Sequence, residues 1–453
     1  MKTRMNFKDE FYQKLKLLVL PIAIQNFMLA LVSATDAIML GWIDQTSLSA
    51  VSLAGQVQFV LSLFISGIAA GAGIMAAQYW GKQDAASIEK VIPIALRTNL
   101  LFSGLFTILA GFCPEMLMRI FTNDAALVAS GSQYLRAVAL SYVLCGISQV
   151  YLILLKNTGH AAVSSRISST AVVLNIILNA ILIYGLCGAP ALGIRGAAYA
   201  TVAARVVELI WAYLETKKPE RVRILWNRLF SSAGKILSED FWRYTLPVLA
   251  ASLVWGIAYV LYSVIMGHMG SDAVAANSIT SIAKSLLSCL IRGVSGGAGV
   301  LIGNLLGANE LEKAREYGGR LSHLSIAIGI VTGGLLMLIS PAIVHFAPLS
   351  DTAAEYLQYM LLFCGLNLMA QSVNTTVLDG IFCAGGDAKF DMQGNIGAMW
   401  CFSVPLGFLA AFWLKLPLRT KEAELYLAML EASAKYLHVP KYRIYTVEEL
   451  FDL

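Results

Sequence analysis

The chain has 453 residues and a formal net charge of +5, with 58% hydrophobic and only 13% charged residues. Soluble domains are about half apolar and about a quarter charged, so this composition excludes an ordinary soluble protein. Several apolar runs reach the roughly 20 residues that a helix needs to cross the hydrocarbon core of a bilayer. These runs predict the lipid bilayer as a partner. No basic stretch carries a nucleic-acid-binding pattern, so we expect no nucleic acid as a partner.

Eleven membrane-spanning helices are predicted in chain order. Six occupy about 17–41, 50–78, 91–113, 132–156, 164–186 and 194–216, and five occupy about 244–268, 274–306, 319–346, 354–383 and 394–416. The first apolar run is too long for the core of a signal peptide, so we read it as the first span.

The second group of spans repeats the first at an offset of 226 positions. The residues that coincide without a gap are Pro21 with Pro247, Gly67 with Gly293, Gly71 with Gly297 and Gly81 with Gly307. Such a duplication is typical of transporters built from two halves around a central binding region. We therefore predict an all-α polytopic membrane protein with two pseudo-symmetric helical lobes, of six and five spans, around a central cleft.

The polar segments divide the chain into an N-terminal lobe at 1–216, a cytoplasmic linker at 217–243, a C-terminal lobe at 244–416 and a charged tail at 417–453. Lysine and arginine gather in the N-terminus and after the even-numbered spans. The positive-inside rule then predicts a multi-pass protein of the plasma (inner) membrane with a cytoplasmic N-terminus. The tail is either an interfacial amphipathic helix or a replacement for a lost twelfth span, and we favour the replacement.

Asp36 interrupts the first apolar span and is the leading candidate for ion coupling. An aspartate at the centre of a spanning helix costs about 2.5–3.5 kcal/mol on insertion scales, so it needs a partner, a cation or a proton. The alternative is an aspartate near the outer end of the helix that reaches interfacial water.

Several motifs resemble the multidrug and toxic compound extrusion (MATE) family over about 15–416. They are Pro21, the run Thr35 to Gly41, Gly71-Ala72-Gly73, the run Asn175 to Asn179, the run Gly193 to Thr201 and Ala384 to Asp387. The resemblance implies two six-helix lobes with a V-shaped cleft, the second lobe here being one helix short. It also implies antiport of amphiphilic or cationic small molecules against H⁺ or Na⁺, with no other cofactor, and we expect a monomer.

The family's first-lobe cation site maps by this resemblance onto Asp36, Asn175, Asn179 and Thr201. The spacing of four puts both asparagines on one helix face, and all four residues offer the oxygen ligands that Na⁺ prefers. Asn179 stands where relatives often have a carboxylate, which leaves Asp36 as the single formal charge and favours proton coupling or looser coupling. The alternative for the asparagines is hydrogen bonding between helices.

The second lobe has no counterpart of Asp36, because the residue at the offset position is Tyr262. Asp379 is the only other acid that we read as well embedded, and Lys284 could pair with it or face the cleft. Asp379, Lys284 and Tyr262 are therefore candidates for a second-lobe polar site.

Phe59, Trp255 and Tyr259 are candidates for stacking on flat hydrophobic cations in the cleft. Aromatic residues at helical spacing are more often packing or interfacial residues, and that alternative stays open.

The sequence as a whole predicts a secondary active multidrug efflux transporter that works by alternating access. The closest alternative is a lipid-linked oligosaccharide flippase of the same superfold, although such proteins tend to line the cleft with more basic residues. We expect no enzyme, because the spans carry no H-E-x-x-H, no histidine cluster and no nucleophile elbow.

Overall fold

The computed structural model describes residues 3–41, 45–219, 221–224, 226, 229, 234–268, 271–347 and 350–405. Part of the predicted eleventh span and the whole tail predicted at 417–453 lie outside these residues. Every regular element in the described ranges is a helix, which confirms the all-α prediction.

The first repeat contains seven α-helices. They are α1 (Thr3–Gly41), α2 (Gln45–Gly81), α3 (Ala85–Phe112), α4 (Pro114–Arg119), α5 (Ala125–Leu155), α6 (Ala161–Tyr184) and α7 (Ile194–Thr216). Helix α1 begins well before the predicted first span. Part of the reason is the i,i+4 ion pair between Glu10 and Lys14 at 2.7 Å, which supports a helix in this polar segment.

The second repeat contains α8 (Lys235–His268), α9 (Ser271–Gly307), α10 (Leu311–Phe346), α11 (Asp351–Asn374) and α12 (Ala388–Asn395). Helix α11 continues into a π-helical segment, Thr375–Phe382, and α12 into another, Ile396–Ser403. The start of α8 takes in the last residues of the predicted linker, so that end of the linker is helical.

Nine helical stretches of the described chain are long and apolar enough to cross a membrane. One of them, Ala125–Tyr184, has 60 residues, which is about three times the length of a single crossing. It holds both α5 and α6, and the chain turns between them at Gly159, whose φ of +81° suits glycine. The first ten predicted spans therefore each have a helical counterpart.

The helices pack into two compact units. One unit contains the described residues up to Asn26 and from Ala250 onward, and the other is Phe27–Leu249. Helices α1 and α8 therefore each begin in one unit and end in the other. The predicted lobe boundaries follow the sequence repeat instead, and they stay a prediction.

Three apolar clusters form the core of the described part of the unit Phe27–Leu249, and two of them join α2 to α5 and α6 to α7. Leu61 of α2 packs with Leu135 and Tyr142 of α5 in the first. Ile167 of α6 packs with Ala212 of α7 in the second. In the other unit, Phe11 of α1 lies edge-to-face on Tyr317 of α10 with ring centroids 4.8 Å apart.

Glycines on α2 let α8 approach closely within the unit Phe27–Leu249. Gly67 faces Leu249 and Gly71 faces Thr245, so that a Cβ at Gly71 would lie 2.7 Å from Thr245 Cα. Side chains larger than hydrogen do not fit at that distance, so the crossing of α2 and α8 requires glycine.

The other unit contains the same crossing between α9 and α1. Gly293 faces Ala23 and Gly297 faces Val19, and a Cβ at Gly293 would lie 2.6 Å from Ala23 Cβ. Each of these pairs matches a pair of the first crossing at the offset of 226 positions. The repeat seen in the sequence is therefore a repeat of packing.

Candidate functional site

Four polar side chains predicted as the coupling site lie together in the unit Phe27–Leu249. Asp36 is in the second half of α1, Asn175 and Asn179 are one turn apart on α6, and Thr201 is near the start of α7. The spacing of four puts both asparagines on the buried face of α6, where Asn175 is 7% and Asn179 is 1% exposed.

A chain of hydrogen bonds joins the four residues. Asn179 Nδ2 donates to Asp36 Oδ1 at 2.6 Å and to Asn175 Oδ1 at 3.3 Å. Asn175 Nδ2 donates to Thr201 Oγ1 at 3.3 Å, and the Thr201 hydroxyl donates to the Ala197 carbonyl at 3.0 Å. Both amide groups are oriented by this network, and the bond to Asp36 is the shortest in it.

One acceptor in this network has no donor. Asn179 Oδ1 is buried and forms no hydrogen bond within the described residues. A buried carbonyl oxygen without a donor costs about 1–3 kcal/mol, so the site suits a cation or water at this atom. The available ligands are carboxylate, amide and hydroxyl oxygens with one formal charge, which fits a proton or a hard monovalent cation.

Two tyrosines that the sequence did not single out adjoin the site. The Tyr184 hydroxyl, at the end of α6, donates to the Met39 carbonyl at 2.7 Å and so holds the end of α1 beside α6. Tyr134 of α5 packs against the apolar cluster of Leu40, which lies one turn beyond Asp36 on α1. Both stand in apolar runs like ordinary packing residues, and the sequence carries no signal that separates them.

The second-lobe candidates do not form one cluster in the described residues. Lys284 Nζ donates to Asn367 Oδ1 at 3.1 Å and forms no ion pair with Asp379. Asp379 lies in the π-helical segment Thr375–Phe382 with an exposed side chain, and it interacts electrostatically with Asp391 and Arg292. The backbone of Tyr262 lies in α8, but its side chain is outside the described part of the chain.

The aromatic candidates fall in different units. Trp255 and Tyr259, one turn apart on α8, are stacked with ring centroids 5.6 Å apart at an angle of 18°, and both are partly exposed. Phe59 lies half-buried on α2 in the other unit. The stacked pair is an exposed aromatic surface on α8, and its role in binding a flat ligand stays a prediction.

An acid that the sequence analysis missed is more deeply buried than Asp379. Glu208 of α7 is 1% exposed, and its Oε2 accepts from Arg205 Nη1 at 2.7 Å and from the Ser148 hydroxyl at 3.0 Å. The statement that Asp379 is the only other embedded acid is therefore wrong. The available signal was the charged pair at i,i+3 inside the apolar run of the sixth span.

Comparison with protein families decides the class. The model of the MatE family matches residues 21–181 and 247–409, which is more than half of the chain. The chain belongs to the MatE family. The two matched segments begin 226 positions apart, so each covers one copy of the repeat. The resemblance inferred from the motifs is confirmed, and the family places the chain among transporters rather than enzymes.

Relatives in the MatE family are distant in sequence and close in fold. Probable multidrug resistance protein YoeA of Bacillus subtilis is 21% identical over 91% of this chain and 90% of its own. Probable multidrug resistance protein NorM of Agrobacterium fabrum is 24% identical over 85% of this chain and 83% of its own. A solved MOP superfamily transporter from Pyrococcus furiosus superposes with a TM-score of 0.84 at 20% identity, covering 93% of each chain. That likeness shows the shared two-lobe fold.

Proposed function

We propose that this MatE protein is a secondary active multidrug efflux transporter that exchanges amphiphilic or cationic small molecules for H⁺ by alternating access. Two observations outside the site support the proposal: membership of a transporter family, and relatives named as probable multidrug resistance proteins. The observation that carries the coupling role is the 2.6 Å hydrogen bond from Asn179 to Asp36.

Protonation of Asp36 changes the strength of the hydrogen bond that joins α1 to α6. An ionised Asp36 accepts a strong charge-assisted bond from Asn179, whereas a protonated one is a weaker acceptor. Because α1 begins in one compact unit and ends in the other, a change at this bond acts on a helix that both units share. Proton binding therefore biases one of two arrangements of that helix, as alternating access requires.

The composition of the site favours H⁺ over Na⁺. Asp36 is the one formal charge among the four residues, and Asn179 contributes a neutral carbonyl where a second carboxylate would strengthen Na⁺ binding. A Na⁺ ion would use Asp36, Asn179 Oδ1, Asn175 and Thr201, so sodium coupling remains the alternative outcome of the test.

Ethidium efflux from proteoliposomes tests the proposal. Wild type, Asp36→Asn and Asp124→Asn are compared under a pH gradient and, separately, a Na⁺ gradient. Asp124 is a matched control, because it caps α5 from an exposed position and asparagine caps equally well. We expect efflux driven by the pH gradient in wild type and Asp124→Asn and none in Asp36→Asn.

Three outcomes of this assay would contradict the proposal in different ways. Equal efflux by Asp36→Asn removes Asp36 from the mechanism. Efflux driven only by the Na⁺ gradient would show that the coupling ion is Na⁺ and not H⁺. Absence of gradient-driven movement of any cation favours the oligosaccharide flippase.

We also propose a monomer in the plasma membrane with its N-terminus in the cytoplasm. The orientation is supported by the gathering of lysine and arginine in the N-terminus and after the even-numbered spans. Cys113, at the exposed end of α3, then faces outward. A membrane-impermeant maleimide added to intact cells is expected to label a variant whose single cysteine is Cys113, and labelling only after lysis would reverse the orientation.

A further inference from the structure

Polar side chains follow α5 through the unit Phe27–Leu249, away from Asp36. Tyr134, Tyr142, Cys145 and Ser148 succeed one another along this helix, over about 21 Å at 1.5 Å per residue. Tyr134 packs against the apolar cluster of Leu40, one turn beyond Asp36 on α1, and also against the cluster that holds Tyr142.

The hydroxyl of Tyr142 is buried and has no hydrogen-bond partner among the described residues. The residue is 2% exposed, and its oxygen forms no hydrogen bond within the described residues. Its ring packs in the apolar cluster with Leu135 and Val138, and phenylalanine would satisfy that role without the cost of burying a hydroxyl. A buried hydroxyl without a protein partner points to a bound water beside it.

The row ends at the buried carboxylate of Glu208. Ser148 Oγ donates to Glu208 Oε2 at 3.0 Å, and Cys145 lies three residues before Ser148 on α5. The second oxygen, Oε1, is buried and has no hydrogen-bond partner within the described residues. An acceptor oxygen is thus free at the far end of the row, just as Asn179 Oδ1 is free at the near end.

We propose that these groups form a proton route inside the first repeat, from Asp36 past the hydroxyls of Tyr134 and Tyr142 to Glu208. The inference rests on the proposed coupling by Asp36 and adds the path by which the proton leaves that carboxyl. Water molecules beside the unpartnered atoms complete the route.

Each transfer in the route balances. The Asp36 carboxyl loses its proton and becomes a carboxylate, and water and tyrosine hydroxyls each accept one proton and donate another. The O–H bond finally forms at Glu208 Oε1, and Glu208 returns to a carboxylate when it gives that proton to water. Nothing is oxidised or reduced.

The charges around the route set its direction. Arg205 forms an ion pair with Glu208 and compensates its negative charge. Among the described residues, Cys145 is a titratable group near this pair and Tyr134 is one near Tyr142. The Arg205 side chain is 20% exposed and that of Glu208 is 1% exposed, so Arg205 is the less buried partner. The positive charge of Arg205 favours the ionised form of Glu208, so a proton that reaches Oε1 is readily released.

Tyr142→Phe tests the route without disturbing the packing, since it removes only the unpartnered hydroxyl. Tyr151→Phe is the matched control, because Tyr151 is also buried on α5 but its hydroxyl accepts from Trp226 Nε1 at 2.8 Å. We expect Tyr142→Phe to lower proton-gradient-driven ethidium efflux, and the accompanying proton uptake, roughly a hundredfold, the lower end of the range for one positioned proton-transfer group. Ethidium affinity without a gradient is expected to be unchanged, and Tyr151→Phe to transport like wild type.

Glu208→Gln and Glu208→Asp form the second arm. We expect Gln to abolish the response to the pH gradient and Asp, which keeps a carboxyl, to restore part of it. The route would be overturned if Tyr142→Phe transported at the wild-type rate and Glu208→Gln kept its response to the pH gradient. If Asp36→Asn still failed to transport in the same assay, the proposed function would nevertheless stand. A wild type that ignores the pH gradient overturns both.

Discussion

Gly71→Ala tests the crossing of α2 and α8 most directly. The added Cβ would lie 2.7 Å from both Cα and Cβ of Thr245, so backbone has to move. Overpacking costs about 1–3 kcal/mol, and a clash with backbone places it at the upper end. Alanine recovers about 1 kcal/mol of helix propensity over glycine, so we expect a net destabilisation of about 2 kcal/mol.

The assay is thermal unfolding in detergent, with Gly55→Ala as the matched control. Gly55 lies on the same helix, and apart from its own stretch of helix no described atom lies within 4 Å of the position that a Cβ would take there. Alanine at this position is therefore expected to stabilise the protein by up to about 1 kcal/mol. Thr245→Ala added to Gly71→Ala is expected to recover only part of the loss, because Cα remains. Equal midpoints for Gly71→Ala and Gly55→Ala would refute the close crossing.

Three further predictions concern single contacts. Asn179→Asp places a second carboxylate against Asp36, so we expect the unfolding midpoint to rise with added NaCl relative to choline chloride, more than in wild type. Arg205→Met leaves the buried Glu208 unpaired and is expected to cost about 3–5 kcal/mol in thermal unfolding, most of which Arg205→Met with Glu208→Met recovers. Hydrogen bonds from Ser87 hold the pKa of Asp84 below its usual range. Asp84→Ala should therefore cost about 1 kcal/mol at pH 7. The difference from wild type should begin to shrink below about pH 4, where the carboxyl of the unfolded chain takes up a proton, and should vanish as the pH falls through the lower pKa of the folded carboxyl.

Hydropathy and the internal repeat were sufficient to predict most of the fold. Apolar runs locate spans because backbone groups in lipid have to bond within a helix, and ten of the predicted spans have helical counterparts. Ends of helices were less accurate, since α1 runs back through a polar segment where Glu10 and Lys14 pair. Which helix packs on which was beyond hydropathy: nothing in the run around Thr245 says that it faces Gly71.

The candidate site was predictable to the extent that its residues break an apolar pattern. Asp36, Asn175 and Asn179 are polar in spanning helices, and the structure places them within one hydrogen-bonded chain. Tyr134 and Tyr184 were missed because a tyrosine in an apolar run looks the same whether its hydroxyl is used or not. Glu208 was visible as an acid in a span, but its burial depends on how α5 and α7 face each other.

The glycine crossings have a consequence for the order in which the molecule is completed during synthesis. Helices α2 to α7 are made before α8, so the surface of α2 around Gly71 stays uncovered in the membrane until Thr245 has left the ribosome. Helix α1 is made first and waits longest, because Ala23 meets Gly293 only once α9 has been inserted. In many proteins an N-terminal domain folds before the next domain is translated. This chain cannot fold in that order, because each unit needs a helix from the other half of the chain. If the chain were divided between α7 and α8, the first fragment would lack the start of α8 and the second would lack the start of α1. Each fragment could therefore complete its fold only when the two were expressed together.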